Sequence, residues 1–278
     1  TKRVIFLDVI KYNEYELIDA HAHIFPEKIY EKATESIGAF YDLPMSNQGS
    51  TEQLLKSGSE VNVSKYLVCS TATTPTQTRS INEFINRQCS LHSEFIGLGT
   101  LHPDMGKNDI YDEIEYIKSL DLKGIKLHPD FQKFNIDSPE AYNIYDAIGD
   151  SMPFLIHMGD KRYSYSHPSR LKKVLNDFPH LCVIAAHLGG YSCWDEAIEI
   201  LSNVNKNLKF DTSSSLSLIS KQYAQKLIST FGTENCFWGS DFPMWNHKDE
   251  YNNLLSLNLS RQENERIFSG NFKQYFNL

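Results

Sequence analysis

The sequence predicts a closed parallel (β/α)8 barrel, a TIM barrel, folded as one domain. Eight short and nearly uniformly apolar segments alternate with amphipathic segments along the 278 residues. This alternation is typical of repeated strand–helix units, whose parallel sheet is covered on both faces. A closed barrel fits the number of units and the length. An open doubly wound sheet is the alternative that periodicity leaves open. We expect residues 1–278 to form the domain, with 1–16 as an N-terminal extension.

The predicted strands are short and rich in β-branched and aromatic residues. They cover residues 17–23, 65–70, 95–101, 124–128, 154–157, 182–187, 208–212 and 236–240. No glycine-rich phosphate loop follows the first of them, so a dinucleotide-binding sheet is disfavoured. The order of these segments therefore favours the barrel.

Amphipathic patterns between the strands predict the helices. They cover residues 75–91, 109–120, 139–148, 167–177, 193–203, 217–231 and 261–276. Pro75 suits a first helical turn, and Ser138 is predicted to be the N-cap of the helix that starts at 139. Residues 26–58 are too many for one simple connection. They predict a helical insertion after the first strand, placed over the mouth of the barrel.

Composition excludes several classes of protein. There are 27 basic against 35 acidic residues, a net charge of −8, so a nucleic-acid or anionic-membrane surface is not expected. No apolar run reaches the roughly 20 residues that span a bilayer. Asp8 interrupts the apolar start, and no signal peptide is expected. The five cysteines are scattered without CxxC spacing, which predicts reduced thiols in a cytoplasmic protein.

Two histidines stand at the end of the first strand. His21 and His23 are two residues apart, so their side chains share a face of the strand, with Asp19 one step deeper. At the carboxyl end of a barrel strand, that face points into the active site. Two imidazoles at this spacing can bind one divalent metal ion. A hydrogen-bonded pair of structural histidines is the alternative.

Other strand ends carry similar groups. His157 and His187 end apolar runs, and Asp241 directly follows the last predicted strand. One polar residue after an apolar run usually has a structural role. Several on the face where barrel active sites lie predict a metal centre, because burying ionisable groups together without a compensating ion costs free energy.

These motifs, taken in order, resemble the amidohydrolase superfamily. Within it they resemble the amidohydrolase-related (amidohydrolase 2) branch, which includes aminocarboxymuconate semialdehyde decarboxylase and related decarboxylases, hydratases and lactonases. The motifs are Ile18-Asp19-Ala20-His21-Ala22-His23, Gly124-Ile125-Lys126-Leu127-His128-Pro129, Leu155-Ile156-His157, Ala186-His187-Leu188-Gly189-Gly190, Trp238-Gly239-Ser240-Asp241-Phe242-Pro243 and Gly270-Asn271-Phe272. The resemblance implies a distorted barrel with one catalytic metal ion, usually zinc. It implies His21, His23, His157 and Asp241 as ligands and His187 as the acid/base.

Three further residues are candidates for substrate binding. Lys126 lies two residues before its strand end, too deep to bridge two metal ions as a carboxylated lysine does in binuclear relatives, so we expect a mononuclear site. A buried cation paired with a carboxylate such as Asp19 is the alternative for Lys126. His128 is expected to contact substrate or to hold its loop. Arg162 could clamp a substrate carboxylate, or be a solvated loop charge.

The implied constellation predicts a metal-dependent hydrolase of a small ester, lactone or amide. A bound metal ion, expected to be Zn²⁺, lowers the pKa of its water to about 7. Asp241 would accept the proton of that water, and His187 would protonate the leaving group. The alternative is a non-oxidative decarboxylase of an unsaturated or aromatic carboxylic acid with the same metal site. We expect a small-molecule substrate and no nucleic-acid or membrane partner. The oligomeric state stays open, a homodimer being one option.

Overall fold

Parallel strands alternate with helices throughout the computed structural model, which describes residues 14–203 and 207–278. Most of the predicted extension over residues 1–16 lies outside the described residues. The strands are β1 (Leu17–His23), β2 (Val63–Cys69), β3 (Phe95–Gly97), β4 (Gly99–Thr100), β5 (Ile125–Leu127), β6 (Phe154–Ile156), β7 (Val183–Ala185), β8 (Leu208–Asp211) and β9 (Cys236–Phe237).

The helices fill the connections between these strands. They are α1 (Tyr30–Tyr41), α2 (Thr51–Ser59), α3 (Thr78–Leu91), α4 (Lys107–Ser119), α5 (Pro129–Gln132), α6 (Pro139–Ile148), α7 (Pro168–Asp177), α8 (Trp194–Leu201), α9 (Ser215–Leu218), α10 (Lys221–Phe231), α11 (His247–Leu255), α12 (Arg261–Glu265) and α13 (Asn271–Phe276). No helix among the described residues is long and apolar enough to cross a bilayer.

The strands close into a barrel. Their order is β1-β2-β3 in one sheet and β4-β5-β6-β7-β8-β9 in the other, with parallel pairing between neighbours. Leu98, between β3 and β4, donates its N–H to Val68 (3.0 Å), so β3 and β4 form one barrel strand. Ala20 donates its N–H to the carbonyl of Trp238 (2.9 Å), which joins the first strand to the last. The predicted barrel is confirmed.

Two apolar layers explain why the strands are apolar on both faces. Side chains alternate along a strand, so one set fills the barrel and the other packs against the helices. The buried cluster inside the barrel contains Ile18, Ala20, Leu67, Leu98, Leu155, Ile184, Ala186 and Phe237 among others. A larger cluster, with Val68, Ile125, Ile156 and Val183, packs against the helices. Burial on both faces is what the unbroken apolar runs of the sequence predicted.

The helix after β5 begins where the sequence places it. Ser138 accepts a hydrogen bond from the N–H of Ala141 (3.3 Å), and Pro139 occupies the first turn, so α6 has the predicted bounds. The predicted helix over residues 261–276 instead contains a π-helical turn over Arg266–Gly270 between α12 and α13. The helices α5 and α11 were not predicted.

The insertion after β1 is helical, as predicted. It contains α1 and α2, and residues from α1 wall the cavity at the carboxyl ends of the strands. Ser50 begins α2 by accepting the N–H of Gln53 (3.2 Å). The insertion therefore covers the end of the barrel where the candidate site lies.

Candidate metal centre

The five residues predicted at the strand ends come together at one end of the barrel. His21 and His23 lie on β1, His157 directly follows β6, His187 follows β7, and Asp241 follows β9. The ring centroid of His21 lies 5.0 Å from that of His23 and 5.3 Å from that of His187. The ring of His187 is in turn 4.7 Å from that of His157. The histidines therefore form a continuous group.

The facing atoms of this group are metal-ligand types. Nε2 of His21 lies 3.1 Å from Nε2 of His23, and Oδ1 of Asp241 lies 3.4 Å from the latter. Nδ1 of His157 lies 2.9 Å from Nε2 of His187. Sets of possible ligand atoms within 4.8 Å of one another are His21/His23/Cys69, His21/His187/Asp211 and His128/Asp130/His157. Nitrogen and carboxylate donors of this kind suit a divalent transition-metal ion.

Hydrogen bonds behind His21 place its lone pair on Nε2, the nitrogen that faces His23 and Lys126. Its Nδ1 lies 3.0 Å from Oδ2 of Asp211 and 2.9 Å from Oγ of Ser213. Asp211 also accepts the backbone N–H groups of His187 and Ser213, each at 3.1 Å. Burial raises the pKa of this carboxyl, and His187 and these hydrogen bonds favour its ionised form. Nδ1 of His21 therefore donates, and Nε2 carries the lone pair. Such a carboxylate behind a ligating histidine is common in metal sites.

The contact between His157 and His187 tests whether a metal ion fits. Nδ1 of His187 lies 2.9 Å from the carbonyl oxygen of Ser213, which can only accept, so Nε2 of His187 carries a lone pair. Nε2 of His157 lies 3.1 Å from Oδ2 of Asp130, whose pKa burial raises to about 8, and an ionised Asp130 would hold the ring hydrogen at Nε2 and leave a lone pair on Nδ1. Two lone pairs facing each other at 2.9 Å repel, and a metal ion bound at Nδ1 of His157 would remove that repulsion, as a proton there also would. The residues fit a metal ion.

Electrostatics keep most of these rings neutral. Burial lowers the pKa of both His157 and His187 to about 3. Burial and the nearby Lys126 hold the pKa of His21 well below its usual value. His23 differs: burial is outweighed by Cys69 and Asp241, which raise its pKa to about 9. Neutral imidazole is the form that binds a metal ion, so binding at His23 displaces a proton.

Asp241 is held ionised by the histidines around it. Burial alone would raise the pKa of this carboxyl, but His21, His23 and His187 hold it well below its usual value. Ser214 donates its hydroxyl to Oδ2 of Asp241. Asp241 and His187 also have left-handed backbone conformations, with φ of 56° and 59°. Such conformations are costly for residues other than glycine and concentrate at functional sites.

Lys126 reaches the same group from β5. Its Nζ lies 2.9 Å from Nε2 of His21, and the side chain is fully buried, which lowers its pKa. Asp19 does not pair with it: Asp19 instead accepts from Ser240 and lies 2.9 Å from Nε2 of His247. The alternative of a structural Lys126–Asp19 pair is therefore wrong. Lys126 lines the cavity above the candidate metal centre.

His128 and Arg162 have different surroundings. The ring of His128 stacks on that of His157 at 4.0 Å and lines the cavity, as expected of a residue near substrate. Nε and Nη2 of Arg162 are bound to the carboxylate of Asp160, and Nη1 donates to the carbonyl of Phe40. The guanidinium edge that a bidentate substrate clamp would use is therefore occupied by Asp160. Arg162 ties the loop after β6 to α1.

A cavity of about 690 Å³ opens onto the histidines. Its wall is mainly apolar and aromatic, and includes Phe25, Ile37, Phe40, Met45, Phe131 and Met244. The polar groups Lys126, His128, Asp130, His157, His187 and Asp241 also line the cavity. A cavity of this volume can hold a small molecule next to the candidate metal centre.

The sequence patterns assign no role to Tyr41 or Asp130. Tyr41 comes from α1 in the insertion, and its hydroxyl lies 2.9 Å from Nε2 of His128. Asp130 is buried beside His157, and neither of its oxygens has a hydrogen-bond partner among the described residues. No periodic pattern marks either residue, because both lie in connections rather than at strand ends.

Several solved structures share this fold. A 5-carboxyvanillate decarboxylase from Novosphingobium aromaticivorans, complexed with manganese, matches with TM-score 0.72 and 15% identity over 96% of this chain and 97% of its own. A 2,6-dihydroxybenzoate decarboxylase from Rhizobium matches with TM-score 0.72 and 13% identity over 95% of this chain and 99% of its own. A probable 2-pyrone-4,6-dicarboxylic acid hydrolase from Acinetobacter baumannii, with citric acid bound, matches with TM-score 0.69 and 16% identity over 95% and 100%.

Sequence comparison identifies the family. Among proteins of curated function, none matches the chain significantly. The family model described as amidohydrolase matches residues 18–277, which include β1 with its histidines and the strand ends that carry His157, His187 and Asp241. The order of motifs along the chain, the closed barrel and the group of residues at its carboxyl end agree with this match. The chain belongs to the amidohydrolase family, and it is an enzyme of that superfamily.

Proposed function

We propose that this enzyme removes CO₂ from a small aromatic carboxylic acid without oxidation. The observation that carries the proposal is the cavity, whose apolar and aromatic wall meets Lys126 and the histidines at one end. Such a wall accommodates an aromatic ring. Holding a carboxylate beside apolar groups is costly, and that cost disappears when neutral CO₂ leaves. The fold similarity to two decarboxylases of aromatic acids supports the same reaction.

The proposed site holds one divalent metal ion between His21, His23, His157 and Asp241. When bound, the metal ion acts as a Lewis acid towards substrate oxygen atoms. Zn²⁺ stays a prediction from the family resemblance, and Mn²⁺ is the alternative because a similar decarboxylase contains manganese. Metal analysis of the purified protein decides between them.

The chain's own residues supply the remaining functions. The ammonium group of Lys126 faces the substrate carboxylate and, with the metal ligands, fixes its position. The bond between the ring carbon and the carboxylate breaks, CO₂ leaves, and the bonding electron pair stays on the ring carbon. Nε2 of His187, which carries a lone pair, takes up one proton from water and passes it to that carbon, so the carboxylate and one proton give the unsubstituted ring and CO₂. His187 is then neutral again, with the lone pair on Nε2.

Hydrolysis of a lactone or ester is the second candidate. It is favoured by the fold similarity to a probable 2-pyrone-4,6-dicarboxylic acid hydrolase. In this reaction Asp241 accepts a proton from water, and His187 protonates the leaving oxygen. The same ligand set serves both reactions, so the products distinguish them.

The test is a product assay with the metal-loaded enzyme. Zn²⁺- and Mn²⁺-loaded protein is incubated with hydroxylated benzoic acids, including 2,6-dihydroxybenzoate and 5-carboxyvanillate, and with a panel of lactones. We expect CO₂ release from an acid. Ring opening of a lactone with acid production would support hydrolysis instead. The variant His187→Asn should keep its metal ion and lose turnover. Absence of both reactions in either metal form would contradict the proposal.

A further inference from the structure

Tyr41 is placed firmly in the cavity by the insertion. It is the last residue of α1, and its ring packs edge-on against Tyr191 at 5.2 Å and lies 6.2 Å from the ring of His157. Arg162 donates to the carbonyl of Phe40, one residue earlier, and its guanidinium lies 4.6 Å from the Phe40 ring centroid. The end of α1 is thus tied to the loop after β6, which fixes the position of the Tyr41 hydroxyl.

The hydrogen bonds of His128 define its tautomer. The backbone N–H of Phe131 donates to Nδ1 of His128 (3.4 Å), so Nδ1 carries a lone pair. A neutral imidazole carries one ring hydrogen, bound to one of its two nitrogens. The single ring hydrogen of His128 is therefore on Nε2. That nitrogen lies 2.9 Å from the hydroxyl oxygen of Tyr41 and donates to it.

The hydroxyl hydrogen of Tyr41 therefore has no assigned acceptor. The oxygen accepts from His128, and no other hydrogen-bond partner of this hydroxyl occurs among the described residues. Burial and the nearby Asp130 hold the pKa of Tyr41 well above its usual value, so the hydrogen is retained at physiological pH. A polar hydrogen in an apolar cavity is stabilised by an acceptor, and the cavity is where a substrate binds.

We propose that Tyr41 determines specificity by donating a hydrogen bond to an oxygen substituent on the substrate ring. The inference rests on the proposed function, which assigns the carboxylate end of the substrate to Lys126 and the metal ligands. A chain of hydrogen bonds then runs from the N–H of Phe131 through His128 and Tyr41 to the substrate, and each bond polarises the next. A hydroxylated aromatic acid is favoured over the same acid without the oxygen.

The test compares the binding of two acids that differ by one hydroxyl. Dissociation constants of 2-hydroxybenzoate and benzoate are measured by calorimetry with metal-loaded wild type, Tyr41→Phe and Tyr163→Phe. Tyr163 is an exposed tyrosine that stacks near Phe40 at 5.9 Å, outside the proposed hydrogen-bond chain, so it is the matched control. For Tyr41→Phe we expect about fivefold weaker binding of 2-hydroxybenzoate, the size of one hydrogen bond, and unchanged binding of benzoate.

The outcomes separate this inference from the proposed reaction. Equal weakening for both acids, or no weakening for either, would overturn the role of Tyr41. Failure of the wild type to bind either acid would overturn the proposed substrate class. Selective loss of 2-hydroxybenzoate binding in an enzyme that releases no CO₂ from any acid would support Tyr41 and contradict decarboxylation. Metal content and melting temperature of Tyr41→Phe are measured first, and both should equal those of wild type.

Discussion

Each donor atom at the candidate metal centre is oriented by a second polar residue. Asp211 and Ser213 lie behind His21, and the carbonyl of Ser213 fixes His187. These partners decide which ring nitrogen carries a lone pair, and so which atom can bind a metal ion. The residues that hold the ligands therefore matter as much to metal affinity as their spacing does.

Asp130 should have this orienting role for His157. Its Oδ2 lies 3.1 Å from Nε2 of His157, and burial raises the pKa of Asp130 to about 8. Once ionised, a state that a metal ion bound at His157 would favour, the carboxylate holds the ring hydrogen at Nε2 and leaves the lone pair on Nδ1. We expect Asp130→Asn to weaken metal binding about 10- to 100-fold while the protein stays folded. Competition with a fluorescent chelator measures the affinity. NMR of the histidine ring nitrogens reports the tautomer of His157.

Asp137→Asn is the matched control for Asp130→Asn. Asp137 follows the same strand but pairs with Arg170, away from the histidines. This variant should keep wild-type metal affinity. Metal affinity that is equal in Asp130→Asn and wild type would exclude an orienting role for Asp130.

Glu250, on α11, should make stability depend on pH. The side chain is fully buried and its Oε2 has no hydrogen-bond partner among the described residues. Burial raises its pKa from 4.5 to about 8, so the folded protein holds a proton that the unfolded chain releases between these values. Stability from this group therefore falls as pH rises from 4.5 to 8.

The variant Glu250→Gln removes this titration. Relative to wild type, its melting temperature should be similar at pH 5 and higher by several degrees at pH 9. Thermal unfolding of both proteins at each pH, with the same metal loading, measures the difference. The control is Glu35→Gln, because the side chain of Glu35 is exposed and its removal should not change how the melting temperature depends on pH. A difference that is constant between pH 5 and pH 9 would refute the proposed proton on Glu250.

At the scale of elements, strands were more predictable than connections. The apolar runs that end in His157 and His187 place both residues because a buried parallel strand has a readable pattern. Asp241 follows from the same logic. Tyr41 and Asp130 lie in the insertion and in α5, where position depends on contacts with distant loops. Such contacts leave no periodic pattern in the sequence.

Arg162 illustrates this limit, and its observed role predicts the behaviour of α1. The sequence leaves open a clamp on a substrate carboxylate or a solvated loop charge, whereas the guanidinium binds Asp160 and the carbonyl of Phe40. We expect Arg162→Met to release the end of α1, because both the hydrogen bond and the contact with the Phe40 ring are lost. Hydrogen exchange of backbone amides near the end of α1 should become faster, with the melting temperature nearly unchanged.

Arg170→Met provides the comparison for Arg162→Met. Arg170 also contacts the loop after β6. Its guanidinium pairs with Asp137 and donates to the carbonyl of Ser164, and neither partner belongs to α1. It should leave the exchange of α1 amides at the wild-type rate. If Arg162→Met also leaves that rate unchanged, other contacts hold α1.

At the scale of the whole molecule, the fold was predictable because one constraint acts along the entire chain. Every barrel strand must be apolar on both faces, and its carboxyl end must face the same side. The group around His21 and His23 follows from that geometry. The charge of −8 limits partners but does not identify a substrate. The proposed substrate recognition depends on Tyr41 and on the cavity wall contributed by the insertion, which the strand pattern does not determine.

The candidate ligands also connect the first and last strands of the barrel. His21 and His23 lie on β1, whereas Asp241 follows β9, and the N–H of Asp241 donates to the carbonyl of His21 (2.9 Å). A metal ion bound by these side chains holds the first strand to the last. Metal binding to the folded state alone should therefore stabilise the barrel at its closure.

We expect chelation to lower the melting temperature by about 10 °C. Metal at 1,000 times its dissociation constant contributes about 4 kcal/mol, and 1 kcal/mol shifts melting by roughly 2–4 °C in a domain of this size. Adding Zn²⁺ or Mn²⁺ should restore the melting temperature with about one equivalent per chain, as in a mononuclear site.

Two histidine variants are the controls. The decrease on chelation should vanish in His21→Asn but persist in His92→Gln, because His92 lies outside the group. Two equivalents bound with a carboxylated Lys126 would show a binuclear site, and melting insensitive to chelation and metal in the wild type would argue against a metal centre.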